Sequence, residues 1–226
     1  MLARFLPLAV DAMAAICRPN KKRTVAKMMG PLRAVEIKYL DTSRAAAQVS
    51  GSGVVDPYLC NLTQGVGSSF RIGRLVNAVS LEIIGNASIP VTTDTAQTWD
   101  AIRIMVVLDK QCNGALFGVT DLLVAGDEKS HTNPVNEHRF EILKEQIFSI
   151  NGPVALNDGG GAGNALKLGE SGQWFRYKIP LDCVLEYGAN AGAVSDLRSN
   201  NIAVLAITRN GRGVIEYIAR LRYTDA

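Results

Sequence analysis

The sequence predicts an all-β sandwich carrying a basic, partly helical N-terminal arm, and three observations carry that prediction. From Ala101 to Asp109 the residues alternate, with Ile102, Ile104, Val106 and Leu108 on one side and Arg103, Met105, Val107 and Asp109 on the other. That is the period of a strand buried on one face and partly covered on the other. Similar runs recur about eight times after residue 34, separated by long loops with little strong helix. Charge is divided unevenly: residues 1–33 hold seven basic side chains and one acid, a net +6, while the remainder holds 17 against 20, a net −3. A basic arm on a slightly acidic body points to a polyanion as the arm's partner.

The 226 residues are 47% hydrophobic and 20% charged, enough to build one substantial core without staples. The division falls into an arm, residues 1–33, and a body, residues 34–226. Cys17, Cys60, Cys112 and Cys183 stand far apart, with no zinc or redox spacing. They read as free thiols of a reducing compartment, and a bridge stays open at this level.

Leu2 to Cys17 is mostly apolar and imitates a secretory signal, but Pro7 and Asp11 interrupt the run. A membrane span would need about twenty uninterrupted apolar residues, so no membrane insertion is expected. The preferred reading is a short amphipathic helix from about Leu8 to Cys17, packed against its copies or beneath the body. Next, RPNKKRTVAK places Arg18, Lys21, Lys22, Arg23 and Lys27 within ten residues. Such a run displaces counterions from a phosphate backbone without reading bases. It equally suits a solvated tail or a nuclear-import signal.

The body then turns to β patterning. Val35, Ile37 and Tyr39 alternate with Glu36 and Lys38, and Leu75, Val79, Leu81 and Ile83 are assigned to one face of the next run. The intervening SGSGVVDP reads as a loop. After Asp109, the sequence DKQ and then Asn113-Gly114 end the strand and turn the chain into a long loop. Arg139 to Ile150 is ambiguous: Phe140, Leu143, Ile147 and Ile150 fit a helix, whereas Phe140, Ile142, Phe148 and Ile150 fit a strand bulged near Leu143. NDGGGAGN, residues 157–164, reads as a surface excursion. Phe175, Tyr177 and Ile179 alternate with Trp174, Arg176 and Lys178, and Leu181 to Tyr187 forms a further short strand. Ile202 to Ile207 is apolar on both faces, as a central strand is. Arg209-Asn210-Gly211-Arg212 makes a hairpin into Val214 to Tyr223, with Ile215, Tyr217, Ala219, Leu221 and Tyr223 inward. Unevenly spaced strands of this number favour a single eight-stranded Greek-key jelly roll over a simple meander.

Catalytic chemistry is not expected. His131 and His138, near Asp127, Glu128 and Glu137, fit no metal-ligand spacing and read as loop residues. There is no G-x-S-x-G elbow, and the glycine run at 159–163 lacks the Lys-Ser/Thr of a phosphate loop. No catalytic residue, metal or cofactor is assigned. Arg71 and Arg74, like Arg220 and Arg222, could touch phosphate or meet an acid at a subunit contact, and a structural role ranks higher.

The succession Gln64-Gly65, Phe70-Arg71-Ile72-Gly73, Val106 to Gln111 with Asn113-Gly114-Ala115, Asp121-Leu122-Leu123, and Asn133-Pro134 to Lys144 resembles capsid proteins of small circular Rep-encoding single-stranded DNA (CRESS-DNA) viruses. It is more distantly similar to the coat proteins of satellite tobacco necrosis virus and geminiviruses. The likeness spans roughly residues 58–150. It implies a jelly-roll subunit assembling in about sixty copies, a T=1 icosahedral shell, around a single-stranded genome, DNA rather than RNA. It favours the strand reading of Arg139 to Ile150. It also places Arg18, Lys21, Lys22, Arg23 and Lys27 inside, on the genome. Roughly sixty arms of +6 supply about 360 charges, short of one per nucleotide in a genome on the order of a thousand nucleotides. Polyamines, metal ions or body residues such as Arg71 and Arg74 are expected to cover the remainder. The competing reading is a non-viral jelly roll that binds a ligand or carbohydrate.

Overall fold

The computed structural model describes residues 36–90, 99–112, 114–152, 154–156, 166–168 and 172–225. The chain divides into Met1–Val35 and Glu36–Ala226, and every described residue belongs to the second unit. The predicted helix at Leu8–Cys17, the basic cluster Arg18–Lys27 and the glycine-rich run at 157–164 lie outside the described residues.

The strands are β1 (Lys38–Gln48), β2 (Val54–Asp56), β3 (Leu75–Ser88), β4 (Trp99–Asp109), β5 (Phe140–Asn151), β6 (Val154–Leu156), β7 (Leu166–Leu168), β8 (Gly172–Tyr187), β9 (Leu197–Ser199), β10 (Asn201–Thr208) and β11 (Val214–Asp225). Nine of them form two sheets, ordered β1-β11-β3-β8-β9 and β2-β10-β4-β5, and β6 and β7 make a separate hairpin. Setting aside the short β9 and that hairpin leaves eight strands paired first with last: β1 with β11, β2 with β10, β3 with β8 and β4 with β5, all antiparallel. The chain is thus one long ribbon folded at β4–β5 and rolled so that successive pairs alternate between sheets. Pairing of β11 with β3 and of β10 with β4 closes each sheet. This is the connectivity of a jelly roll, with β9 as an additional edge strand.

The core lies between the sheets. Ile102, Ile104, Val106 and Leu108 of β4 meet Ile202, Val204 and Ala206 of β10 and, from the opposite sheet, Leu81, Ile83, Phe175, Tyr177, Tyr217 and Leu221. The inward set predicted for β11 is buried throughout. Gly85 is required here because a Cβ would sit 2.5 Å from both Phe175 Cζ and the Glu216 carbonyl. A second cluster covers the other face of the four-stranded sheet: Met105, Val107, Ala203, Leu205 and Ile207 pack under Phe117, Leu122, Leu123 and Phe140. The β4–β5 loop supplies that cover, with the one-turn helix α1 (Val119–Leu122) inside it. Asp109 and Cys112, at the loop's start, are buried within the chain.

The structure settles β5. Val106 pairs with Lys144 and Val107 with Ile142, so Leu143 is the extra residue of a bulge. Without it, the even-numbered Phe140, Ile142, Phe148 and Ile150 would share one face. The bulge flips the strand, sending Phe140 to the outer cluster with Ile142 packed against it, and Phe148 and Ile150 to the inner one.

Four expectations are corrected. At the start of β1 the apolar members of the alternation do not go inward: Lys38 is buried, while Tyr39 and the preceding Ile37 are exposed. Lys38 goes inward because its ammonium meets Asp225 at 2.7 Å and donates to the Phe70 carbonyl. In β3 a bulge at Val79, unmatched against β11, breaks the common face, leaving Leu75 and Val79 outward and Leu81 and Ile83 inward. Within the expected SGSGVVDP loop, Val54–Asp56 forms β2 on the β10 edge. Finally, β8 runs unbroken through Pro180, joining the two strands expected there.

Candidate functional site

Arg71 is fully buried at the foot of the β2–β3 loop. Its guanidinium donates to the carbonyls of Leu62, Gly73 and Ala189 and lies over the Tyr187 ring, 4.3 Å from the centroid. Burial pulls its pKa down from the ordinary arginine value. It pins this loop to the β8–β9 loop and offers nothing to phosphate or to another subunit, which corrects its assignment as a contact residue. Arg74 is exposed; its backbone carbonyl accepts from Tyr187 N–H.

Around this keystone the same corner displays apolar side chains. Ile37, Tyr39, Val66, Phe70, Ile72 and Leu75 are all exposed, Val66 to 94%. The backbone beneath them is held firmly: Tyr39 N–H donates to Ser68 O, Gln64 Nε2 to Ile72 O, and Ile72 N–H to Asp225 Oδ1. Burial raises the Asp225 pKa, but hydrogen bonds from Lys38 and Ile72 outweigh it and the net shift is downward. A stiff scaffold presenting uncovered apolar groups has the character of a contact surface.

The outer face of the five-stranded sheet forms a second candidate surface, set by register. Asp41 of β1, Arg220 of β11, Glu82 of β3 and Lys178 of β8 form one row across it; Ser43, Ile218, Ile84 and Arg176 form the next. Arg220 grips Asp41 bidentately at 2.6 and 2.7 Å, and this hydrogen-bonded pairing holds the Asp41 carboxyl below its usual range. Arg176 binds Glu82, and Arg222 approaches the same carboxylate at 3.8 Å. Hydrogen bonding by Arg176 likewise lowers the Glu82 pKa. Arg220 and Arg222 therefore meet acids of their own chain. Across both rows, and on to Glu216, lies a groove of about 660 Å³ with Trp174 at its end.

Other charged groups are structural. Arg103 is buried on the covered side of β4, bound to Glu145 at 2.7 Å and to the carbonyls of Glu128 and Ser130. Asp109 takes both arms of Arg139. Asp100, also buried, accepts from the N–H groups of Ala101, Asn210, Arg212 and Gly213, fixing the β10–β11 hairpin. His131 and His138 are exposed. Among the described residues no three His, Cys, Asp or Glu side chains gather as metal ligands would. Cys60, Cys112 and Cys183 are free thiols, and burial pushes Cys60 up to about 12. No helix among the described residues is long and apolar enough to cross a membrane.

No protein family matches the chain, and no curated protein does. Among solved structures, a chain from the T13 particle of the virus IBDV aligns at 9% identity over 84% of this chain and 36% of its own length, with a TM-score of 0.18. The present chain thus spans about a third of that protein, and the superposition is too loose to bear on fold or function.

Proposed function

We propose that the chain is a viral capsid subunit that self-assembles into a small icosahedral shell of about sixty copies and packages a single-stranded genome, DNA rather than RNA. Its place is the virion, with passage through the host nucleus during assembly. The reading is carried by one combination: a complete jelly-roll ribbon joined to a 33-residue segment of net +6 on a body of net −3. The order of motifs between residues 58 and 150 supports it, as does the stiff corner bearing Val66, Phe70 and Ile72. The two sheets have edges at β1 and β9 and at β2 and β5, and symmetric neighbours cover such edges while burying apolar patches.

In this reading the arm's Arg18, Lys21, Lys22, Arg23 and Lys27 hold phosphates by charge, without base recognition. The body builds the wall and performs no catalysis. Electron microscopy of the purified full-length chain is expected to show uniform closed particles containing nuclease-resistant nucleic acid. Replacing Lys21, Lys22 and Arg23 by alanine is expected to leave particles formed and reduce their nucleic acid. Monomers under all assembly conditions would remove the proposal.

A further inference from the structure

On β8 the outward residues Trp174, Arg176 and Lys178 stand at alternate positions, so they form a single line with steps of about 7 Å. Trp174 is 73% exposed, and beside its line lie Ile84 and the 64% exposed Ile218. Hydration alone does not call for a tryptophan and two isoleucines clustered on one sheet face. The guanidinium groups of Arg176 and Arg220 are held in place by Glu82 and Asp41 while about half of each side chain stays open to solvent. Around the groove four cations (Arg176, Lys178, Arg220, Arg222) stand against three anions (Asp41, Glu82, Glu216), and the acids Asp182 and Glu186 are exposed farther along β8.

We infer that this groove, together with the β8 line that continues past it to Lys178, is a second contact for single-stranded nucleic acid, in which a base stacks on the Trp174 indole and the adjoining phosphates meet Arg176 and Lys178. The inference rests on the capsid reading for its partner and adds to it a site outside the arm. Stacking uses the π-face that every base has, so it needs neither sequence recognition nor a strongly charged surface. The near balance of charge fits that division of labour: the arm neutralises and the groove orders. Glu82, the acid nearest the line, is already engaged by Arg176 and Arg222, which limits its repulsion of phosphate. A line one side chain wide along one strand suits an extended polymer.

The test uses the full-length chain and the oligonucleotide (dT)10. Trp174 is followed by fluorescence in a Trp99→Phe background, since Trp99 lies on the other sheet, bonded to Ser149. Binding is expected to quench Trp174, and Trp174→Ala to weaken affinity about tenfold without changing its salt dependence, because stacking releases no counterions. Trp174→Phe should recover most of the loss, and Arg176→Gln should flatten the slope of log affinity against log salt by about 0.7. Absence of quenching with unchanged affinity in Trp174→Ala overturns the inference. So does a Trp174→Ala chain that binds (dT)10 normally but fails to associate with its copies, which would make the groove a subunit contact. If the triple alanine variant of Lys21, Lys22 and Arg23 loses binding while Trp174→Ala does not, the groove fails and the capsid reading stands. If no particles form and neither variant alters binding, the capsid reading itself fails.

Discussion

The two sheets expose opposite solutions on their outer faces. On the four-stranded sheet, the chain's own β4–β5 loop lays Phe117, Leu122 and Leu123 over Met105, Val107 and Leu205, so both faces of β4 and β10 are dry. On the five-stranded sheet, no described residue covers Trp174, Ile84 and Ile218, and the charged rows around them are ion-paired within the chain. One face is closed by folding, the other is left for something outside the fold. Stability should therefore reside on the covered face and interaction on the open one.

The sharpest test of that contrast is Phe117→Ala. The ring packs against Phe140 at a centroid distance of 5.0 Å, and its removal is expected to cost about 3–5 kcal/mol in urea unfolding. Arg71→Ala should follow at about 2–4 kcal/mol, because the buried carbonyls of Leu62, Gly73 and Ala189 lose their donor. Arg71→Lys should recover little, since an ammonium cannot span three carbonyls as a planar fork does.

A smaller effect is expected from acid. The folded-state pKa of Asp225 is lowered, so its contribution is complete above the ordinary value of 3.8 and disappears as pH falls through the lower folded one. The Ile72 amide, which donates to Asp225, should lose protection from hydrogen exchange only below about pH 4, relative to its intrinsic rate. Protection that fades near neutrality would contradict this assignment. At the bottom of the scale, Ile218→Ala on the open face should change unfolding free energy by no more than about 0.5 kcal/mol. A large loss there would show that the open face also serves the fold.

Most of the strands are legible in the sequence because period-two burial writes itself into the residue pattern: β4, β10 and β11 take the predicted faces, although the side of β4 expected to be only partly covered is buried throughout. The misreadings have local causes. Lys38 points inward because Asp225, far along the chain, waits for it, and no nearby residue signals that. The bulge at Val79 reverses a face with no glycine or proline beside it in β3; the proline at that register break, Pro180, stands on the partner strand, remote in sequence. Strand β2 is three residues long and hides in turn-like sequence, held by pairing with β10. Arg71 looked available because a cation satisfied by backbone carbonyls leaves no acid to find. In the groove, the alternation of Trp174, Arg176 and Lys178 was readable. The rows that join Asp41 to Arg220 and Glu82 were not, since they depend on register across three strands.

The central claim is that this jelly roll is a shell subunit, and the mass of the full-length chain in solution tests it most directly. Light scattering under assembly conditions should give a single species whose protein mass is about 1.5 MDa, roughly sixty copies of the 24.3 kDa chain, with packaged nucleic acid adding to it. A mass that stays at one or two copies across salt, pH and added single-stranded DNA would contradict it.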